Sequence, residues 1–221
     1  MTLELLCVLF IGILLMLIPI SAQMKWYSIP MWKSIVVSVV LALTGVVGSE
    51  IWYFVENLSF GGRSFYGAIV FSPIIFWPAS RILRISYTET LDFVAPAGCM
   101  TLALVKLQCL RDGCCIGKIL YMNEDYIYVR FPSQIIEMIT FLIIAVVLLL
   151  IVHNEKNRGT IFFWFLILYG ATRFILDFFR ETTPAYLFGL SAGSFWSMWS
   201  CIIGITVLFA MHRKKCRIHS A

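Results

Sequence analysis

With 221 residues, 61% of them hydrophobic and 13% charged, the chain lies far outside the composition of soluble proteins. Its net charge of +5 is scattered or gathered at the ends of apolar runs, which argues against a nucleic-acid partner. The expected architecture is a single integral membrane domain over residues 1–221, all-α and multi-pass, with little chain left for a soluble module.

Seven apolar runs are long enough to span a bilayer, at about residues 3–20, 32–54, 61–77, 91–110, 133–152, 160–179 and 192–211. The first carries Glu4 and lacks a basic leader, so a retained helix is expected rather than a signal peptide. The third contains Pro73 and is expected to be kinked or partly re-entrant. Ten of the 17 basic residues are Lys25, Lys33, Arg81, Arg84, Lys156, Arg158, Arg213, Lys214, Lys215 and Arg217, all at alternate loop ends. The positive-inside rule then predicts about seven transmembrane helices, with the N-terminus outside and the C-terminus cytoplasmic.

Four segments break the apolar pattern, and this topology brings all four to the outer half of the membrane. The first, Gly61-Gly62-Arg63-Ser64-Phe65-Tyr66-Gly67-Ala68, has three glycines in seven residues and cannot favour a plain helix. It suits a tight turn with close backbone approach to a ligand, or a helix-packing contact between small residues. The second is Lys106–Lys118, K-L-Q-C-L-R-D-G-C-C-I-G-K, with Cys109 and Gly113 three and seven residues after Lys106. Lys106 is a candidate site residue, although a lysine there can also snorkel to the interface.

Cys7 and Cys201 lie in apolar runs and Cys216 in a basic tail, so the seven cysteines are not a disulfide framework. Cys99, Cys109, Cys114 and Cys115 are the group of interest. The Cys114-Cys115 pair lacks a C-x-x-C spacing or a histidine partner, so no metal site is expected; a packing or redox role stays open.

The third segment is Phe131-Pro132-Ser133-Gln134-Ile135-Ile136-Glu137. Pro132 suits a helix start, and Ser133 and Glu137 share a face. The free N–H groups of that start favour an anion. The alternative is ordinary capping by Ser133, with Glu137 a buried partner for an arginine. Beside a phosphate, Glu137 requires an accompanying cation or proton.

The fourth, Tyr169–Thr182, carries Arg173, Asp177 and Arg180 at i, i+4 and i+7, one stripe of a helix. Charges at bilayer depth are costly and mark functional sites, here one for an anionic, phosphate-like group; the alternative is an Arg–Asp pair joining helices. The last run opens with Ser191-Ala192-Gly193-Ser194, small residues that line the same cavity or pack. All three histidines, His153, His212 and His219, fall at expected cytoplasmic ends. Outer-face proton transfer is then left to Tyr66, a carboxylate, a cysteine or the substrate.

In this order the segments resemble the bacterial prolipoprotein diacylglyceryl transferases, over about residues 48–197. G-G-R-S-F-Y-G-A resembles the family's G-G-x-S-F-H-G-G, L-D-F-V-A-P its D-x-x-A-P, P-S-Q-I-I-E its H-P-S-Q-L-Y-E, and Y-G-A-T-R-F-I-L-D-F-F-R-E its Y-G-x-x-R-x-x-x-E-F-F-R. The departures are Tyr66 and Phe131 in place of histidines, Glu50 where an arginine is frequent, and Lys106 to Cys114 in place of R-x-G-N-F-x-N-G-E. Cys109 and Cys114 replace an Asn and the Glu of that signature.

The resemblance implies transfer of a diacylglyceryl group from phosphatidylglycerol to a lipobox cysteine thiol of a secreted preprotein. It implies a site open to the outer leaflet of the bacterial plasma membrane, with no metal and no cofactor. Another acceptor, whether thiol, glycan or small molecule, stays open, as does a non-catalytic lipid-binding or partner-binding protein with the same fold. By this resemblance Arg173 stabilises the phosphate, Arg180 holds the headgroup or orients Asp177, and Tyr66 and Lys106 complete the catalytic set. Gly61, Gly62, Arg63, Ser133, Gln134, Glu137, Cys109 and Gly113 are expected around the lipid.

Overall fold

The computed structural model describes residues 3–27, 29–59, 61–122, 128–181 and 187–219, with side chains for all of these except 3–10, 13, 15, 156 and 214–219. Thr182 and the side chains of Cys7, Lys156, Lys214, Lys215, Cys216, Arg217 and His219 therefore lie outside it.

Each apolar run holds a helix: α1 (Leu3–Trp26), α2 (Met31–Asn57), α3 (Phe65–Leu83), α4 (Tyr87–Asp112), α5 (Ser133–His153), α6 (Ile161–Asp177) and α7 (Ala192–His219). Among the described residues, five stretches are long and apolar enough to cross a membrane: α2, α3, α4, α5 and Ala192–Arg213 of α7. At 17 residues α6 is shorter than the run that predicted it. The fold is all-α apart from one antiparallel ribbon that the sequence reading did not anticipate, β1 (Ile119–Met122) with β2 (Tyr128–Arg130). Its I-L-Y-M and Y-V-R segments are aromatic and aliphatic, residue types that suit a pleated surface.

Helix α5 shows what the exposed apolar surface is for. Ile135, Ile139, Leu142, Ile143, Val146 and Leu150 are exposed along one face. Ser133, Gln134, Glu137, Phe141, Ile144, Ala145 and Leu148 are buried along the other. A helix apolar on its exposed face suits hydrocarbon rather than water. Arg81 lies over Trp77 at 4.3 Å and Arg158 over Tyr27 at 4.5 Å near helix ends, and Arg213 lies over Phe209 at 4.4 Å at the end of the apolar stretch of α7. Basic and aromatic side chains paired this way favour the membrane interface.

The chain divides into two compact units. Unit 1 is Met1–Thr101 with Val147–Phe162; unit 2 is Leu102–Val146 with Phe163–Ala221. In unit 1, α1 packs on α2 and α2 on α3. Gly67 lies so close to the Gly48 carbonyl that any added Cβ would clash with it, and this small-residue contact sets the α2–α3 approach. The span α3 starts at Phe65, not at Gly61, because Gly61 has φ +108° and Ser64 is extended. It also continues past Trp77 to Leu83, with Pro73 and Pro78 inside it.

Unit 1 also contains a fully buried carboxylate. Asp92 of α4 accepts the backbone N–H of Gly159 and, at 2.9 Å, that of Ile161, and Tyr27 donates its hydroxyl at 3.4 Å. These amides open α6, where the first N–H groups have no partner within the helix, so Asp92 caps it from a distance in sequence.

Candidate functional site

The polar centre of unit 2 is built from helix ends. Helix α4 stops at Asp112, and Gly113 takes φ +67°. The Cys114 N–H then bonds the Cys109 carbonyl at 3.0 Å, the bond of a Schellman closure. Cys115 also adopts a left-handed conformation, φ +58°, which costs a non-glycine residue about 1 kcal/mol or more. The start of α5 holds this loop. Ser133 donates its hydroxyl to the Cys115 carbonyl at 2.7 Å, and Gln134 donates its amide to the Cys114 carbonyl at 2.8 Å. Both side chains are buried, so the P-S-Q motif acts here as a clamp on the turn after α4.

One helical turn further on, Glu137 is fully buried and meets three cations. Its Oε2 pairs with Lys106 of α4. Its Oε1 takes Arg173 at 3.1 Å and Arg180 at 3.5 Å. Arg173 also reaches Asp177 at 3.3 Å. Glu137 thus has the accompanying cations that its burial requires, three of them instead of one.

The Arg173–Asp177–Arg180 stripe is not one regular helix, because α6 ends at Asp177. The next turn is tightened: Phe178, Phe179 and Arg180 donate their N–H groups to Ile175, Leu176 and Asp177, each three residues back. A three-residue turn brings Arg180 round to the face that carries Asp177, which is why it still reaches Glu137.

Asp177 is fixed from α7. It accepts the hydroxyls of Ser191 and, at 2.7 Å, Ser194, while Ser191 caps the helix by accepting the Ser194 N–H at 3.0 Å. Gly193 leaves room for this cluster, since a Cβ there would lie 3.0 Å from Arg173 Nη2. Below it, Tyr169 is buried against Phe165, with ring centres 5.4 Å apart.

A cavity of about 430 Å³ opens here, lined among others by Cys115, Arg173, Asp177, Arg180, Ser191 and Gly193. The buried Nε of Arg180 has no partner among the described residues. Lys106, Arg173 and Arg180 exceed Glu137 and Asp177 by one positive charge, while Arg130 and Glu181 at the rim pair with each other. Surplus positive charge and a donor without a partner among the described residues give this cavity the chemistry to hold an anion. The Cys115 thiol is pulled below its usual range by the hydrogen bond with Cys109, helped by Lys106 and Arg180 and opposed by burial.

Unit 2 therefore gathers Lys106, Cys109, Gly113, Ser133, Gln134, Glu137, Arg173, Asp177 and Arg180. Gly61, Gly62, Arg63 and Tyr66 belong to unit 1. There Gly62 lies against the Tyr53 ring, Arg63 pairs with Glu50 at 3.1 Å with both about half exposed, and Tyr66 is buried in the first turn of α3. Sequence reasoning missed Cys115 as a cavity-lining residue, and the Arg130–Glu181 pair. Their only sequence signal was a charge or thiol flanking a motif.

Comparison with known proteins adds the last observation. A model of the prolipoprotein diacylglyceryl transferase family matches residues 6–210. A phosphatidylglycerol–prolipoprotein diacylglyceryl transferase of Clostridium tetani is 26% identical over 193 residues, 77% of either chain. One of Geobacter sulfurreducens is 26% identical over 201 residues, 79% of this chain and 76% of its own.

Proposed function

The chain belongs to the prolipoprotein diacylglyceryl transferase family, and from that premise we propose that it moves a diacylglyceryl group from phosphatidylglycerol to the thiol of a lipobox cysteine in a prolipoprotein. The observation that carries the reading is the cavity at the end of α6, with its single surplus positive charge and an Arg180 Nε that has no partner among the described residues. The phosphate of the lipid occupies this cavity. As the carbon–oxygen bond to the phosphate breaks, negative charge grows on the departing glycerol phosphate, and Arg173 and Arg180 stabilise it from fixed positions. Glu137 is the positioning residue, because one carboxylate oxygen sets the place of both guanidinium groups. Lys106 occupies the other oxygen, so neither arginine has to neutralise Glu137 alone.

The reading places seven spans in a bacterial plasma membrane, with the N-terminus outside and the cavity toward the outer leaflet. The basic residues at alternate loop ends support that orientation, and the cation–aromatic pairs of Arg81 and Arg158 support an interface at those ends. The test is transfer by the purified chain in phosphatidylglycerol vesicles to a lipobox peptide. Arg173→Ala is expected to lower the rate about 10²–10³-fold, the usual loss for one preorganised donor to a developing anion. Arg173→Lys recovers only part, because an ammonium lacks the two-pronged geometry of guanidinium. An Arg173→Ala variant at the parental rate overturns the role. Lipid bound without product under these conditions overturns the transfer itself.

A further inference from the structure

We propose that Cys109, Cys114 and Cys115 form a thiol–disulfide exchange centre, which takes up a low-molecular-weight disulfide at Cys114 and passes the oxidised bond through Cys109 to Cys115. Its effect on transfer rests on the transferase reading; the exchange itself does not.

The three Sγ atoms lie within 4.8 Å of one another, and all three thiols are free. A sulfur–sulfur bond is about 2.05 Å long, so side-chain rotation and a small loop shift close a pair whose backbone allows it. Cys109 is the shared partner, because it is hydrogen-bonded to both loop cysteines. A bond between the adjacent Cys114 and Cys115 would close a ring through a single peptide, too tight for ordinary disulfide geometry. Cys109 can therefore bond either neighbour, but only one at a time.

Exposure sets the order. Cys114 is exposed, while Cys109 and Cys115 are half-buried. The Schellman bond from the Cys114 N–H holds this outer thiol over Cys109 at the end of α4. Cys115 stands at the inner end and lines the cavity with Arg173 and Arg180.

Each step balances. The Cys114 thiolate attacks the incoming disulfide and displaces one small thiolate. Cys109 attacks the Cys114 sulfur, and the second small thiolate leaves. Two protein thiols are oxidised to one disulfide, one small disulfide is reduced to two thiols, and the two protein protons go to the leaving thiolates. Cys115 then attacks Cys109 and frees Cys114, an exchange with no net change in oxidation state. A small thiol runs the sequence backwards.

The bond to Cys115 suits a switch better than a structural link. The loop from Cys109 to Cys115 is short, so closing it adds little stability. The Cys115 backbone is already left-handed, φ +58°, and carries strain. Ser133 and Gln134 at the start of α5 hold the Cys115 and Cys114 carbonyls, one helical turn before Glu137. Drawing Cys115 toward Cys109 pulls on this start, and Glu137 sets the place of both arginines. A misplacement on the order of 1 Å can cost about 10²-fold in rate, so the oxidised centre throttles transfer.

The experiment uses the full chain in phosphatidylglycerol nanodiscs, reduced, treated with glutathione disulfide and desalted. Peptide mapping by mass spectrometry is expected to show Cys109 bonded to Cys115, with a fraction bonded to Cys114. This reading needs no variant. Cys109→Ser should abolish both bonds and leave glutathione on Cys114. Cys114→Ser should slow closure of the Cys109–Cys115 bond about tenfold or more, because the accessible thiol is gone. Cys99→Ser and Cys201→Ser should change neither bond. The initial rate of transfer to a lipobox peptide should fall about tenfold on oxidation and return with dithiothreitol. Cys109→Ser, measured against its own reduced rate, should no longer respond. No bond among the three thiols, or one that survives Cys109→Ser, overturns the centre. Closure at the unsubstituted rate in Cys114→Ser overturns the entry role of that thiol. Equal transfer in both redox states overturns the coupling and leaves the transferase reading intact. Exchange without transfer in either state overturns that reading and leaves the centre standing.

Discussion

Among the described residues two carboxylates, Asp92 and Glu137, are fully buried, and they are answered in opposite ways. Asp92 in unit 1 is met by backbone amides at the start of α6 and by one tyrosine hydroxyl. Glu137 in unit 2 is met by three long cationic side chains. A backbone N–H is fixed in direction by the chain that carries it and cannot turn to an arriving group, so Asp92 is a structural joint. A guanidinium can keep one contact and turn its remaining donors to an arriving anion. On the proposed function, the partner set rather than burial separates a buried charge that holds the fold from one that serves a site.

Substitutions break or sharpen this contrast in a graded way. Glu137→Leu is expected to be the most damaging, because it leaves three cations together without their shared counter-ion. A loss of about 3–5 kcal/mol, with transfer abolished, is expected from denaturant unfolding in detergent. Parental stability would mean that the cations are balanced elsewhere. Asp92→Ala should cost about 1–3 kcal/mol by leaving the first amides of α6 unpaired. Hydrogen exchange at Gly159 and Ile161 should rise, while transfer per folded molecule stays unchanged; lost transfer in a folded variant would erase the distinction between the two carboxylates. Ser194→Ala removes one hydrogen bond to Asp177, about 1.5 kcal/mol, and loosens the partner of Arg173, so transfer should fall along with stability. Arg63→Ala breaks only a half-exposed pair with Glu50 and should cost under about 1 kcal/mol, vanishing at high salt. A larger, salt-insensitive loss would show that this pair behaves like the buried ones.

The helices were legible because hydrocarbon imposes a composition on each residue run that crosses it. The seven runs each hold a helix, and Gly61 and Pro132 mark boundaries for local reasons: a positive φ in one, a missing N–H in the other. The ribbon of Ile119–Met122 and Tyr128–Arg130 was not legible, since its strands are short and pair across a turn. The end of α6 was misplaced by a few residues, because the tightened turn keeps the spacing of charges that a regular helix would also show.

For the site, residue types marked the Arg173–Asp177–Arg180 stripe, since charges are rare and expensive in so apolar a chain, while Lys106 and Glu137 kept bland alternatives until the family resemblance was added. Which charge faces which was decided only in three dimensions. Glu137 sits 36 residues from Arg173, and nothing local states that one oxygen of it serves two arginines. Likewise Ser133 and Gln134 look like a ligand-facing motif in sequence, yet their donors are spent on the Cys115 and Cys114 carbonyls. Composition and periodicity respond to the solvent around each helix; partnership depends on which helix ends meet, and that is a property of the packed chain.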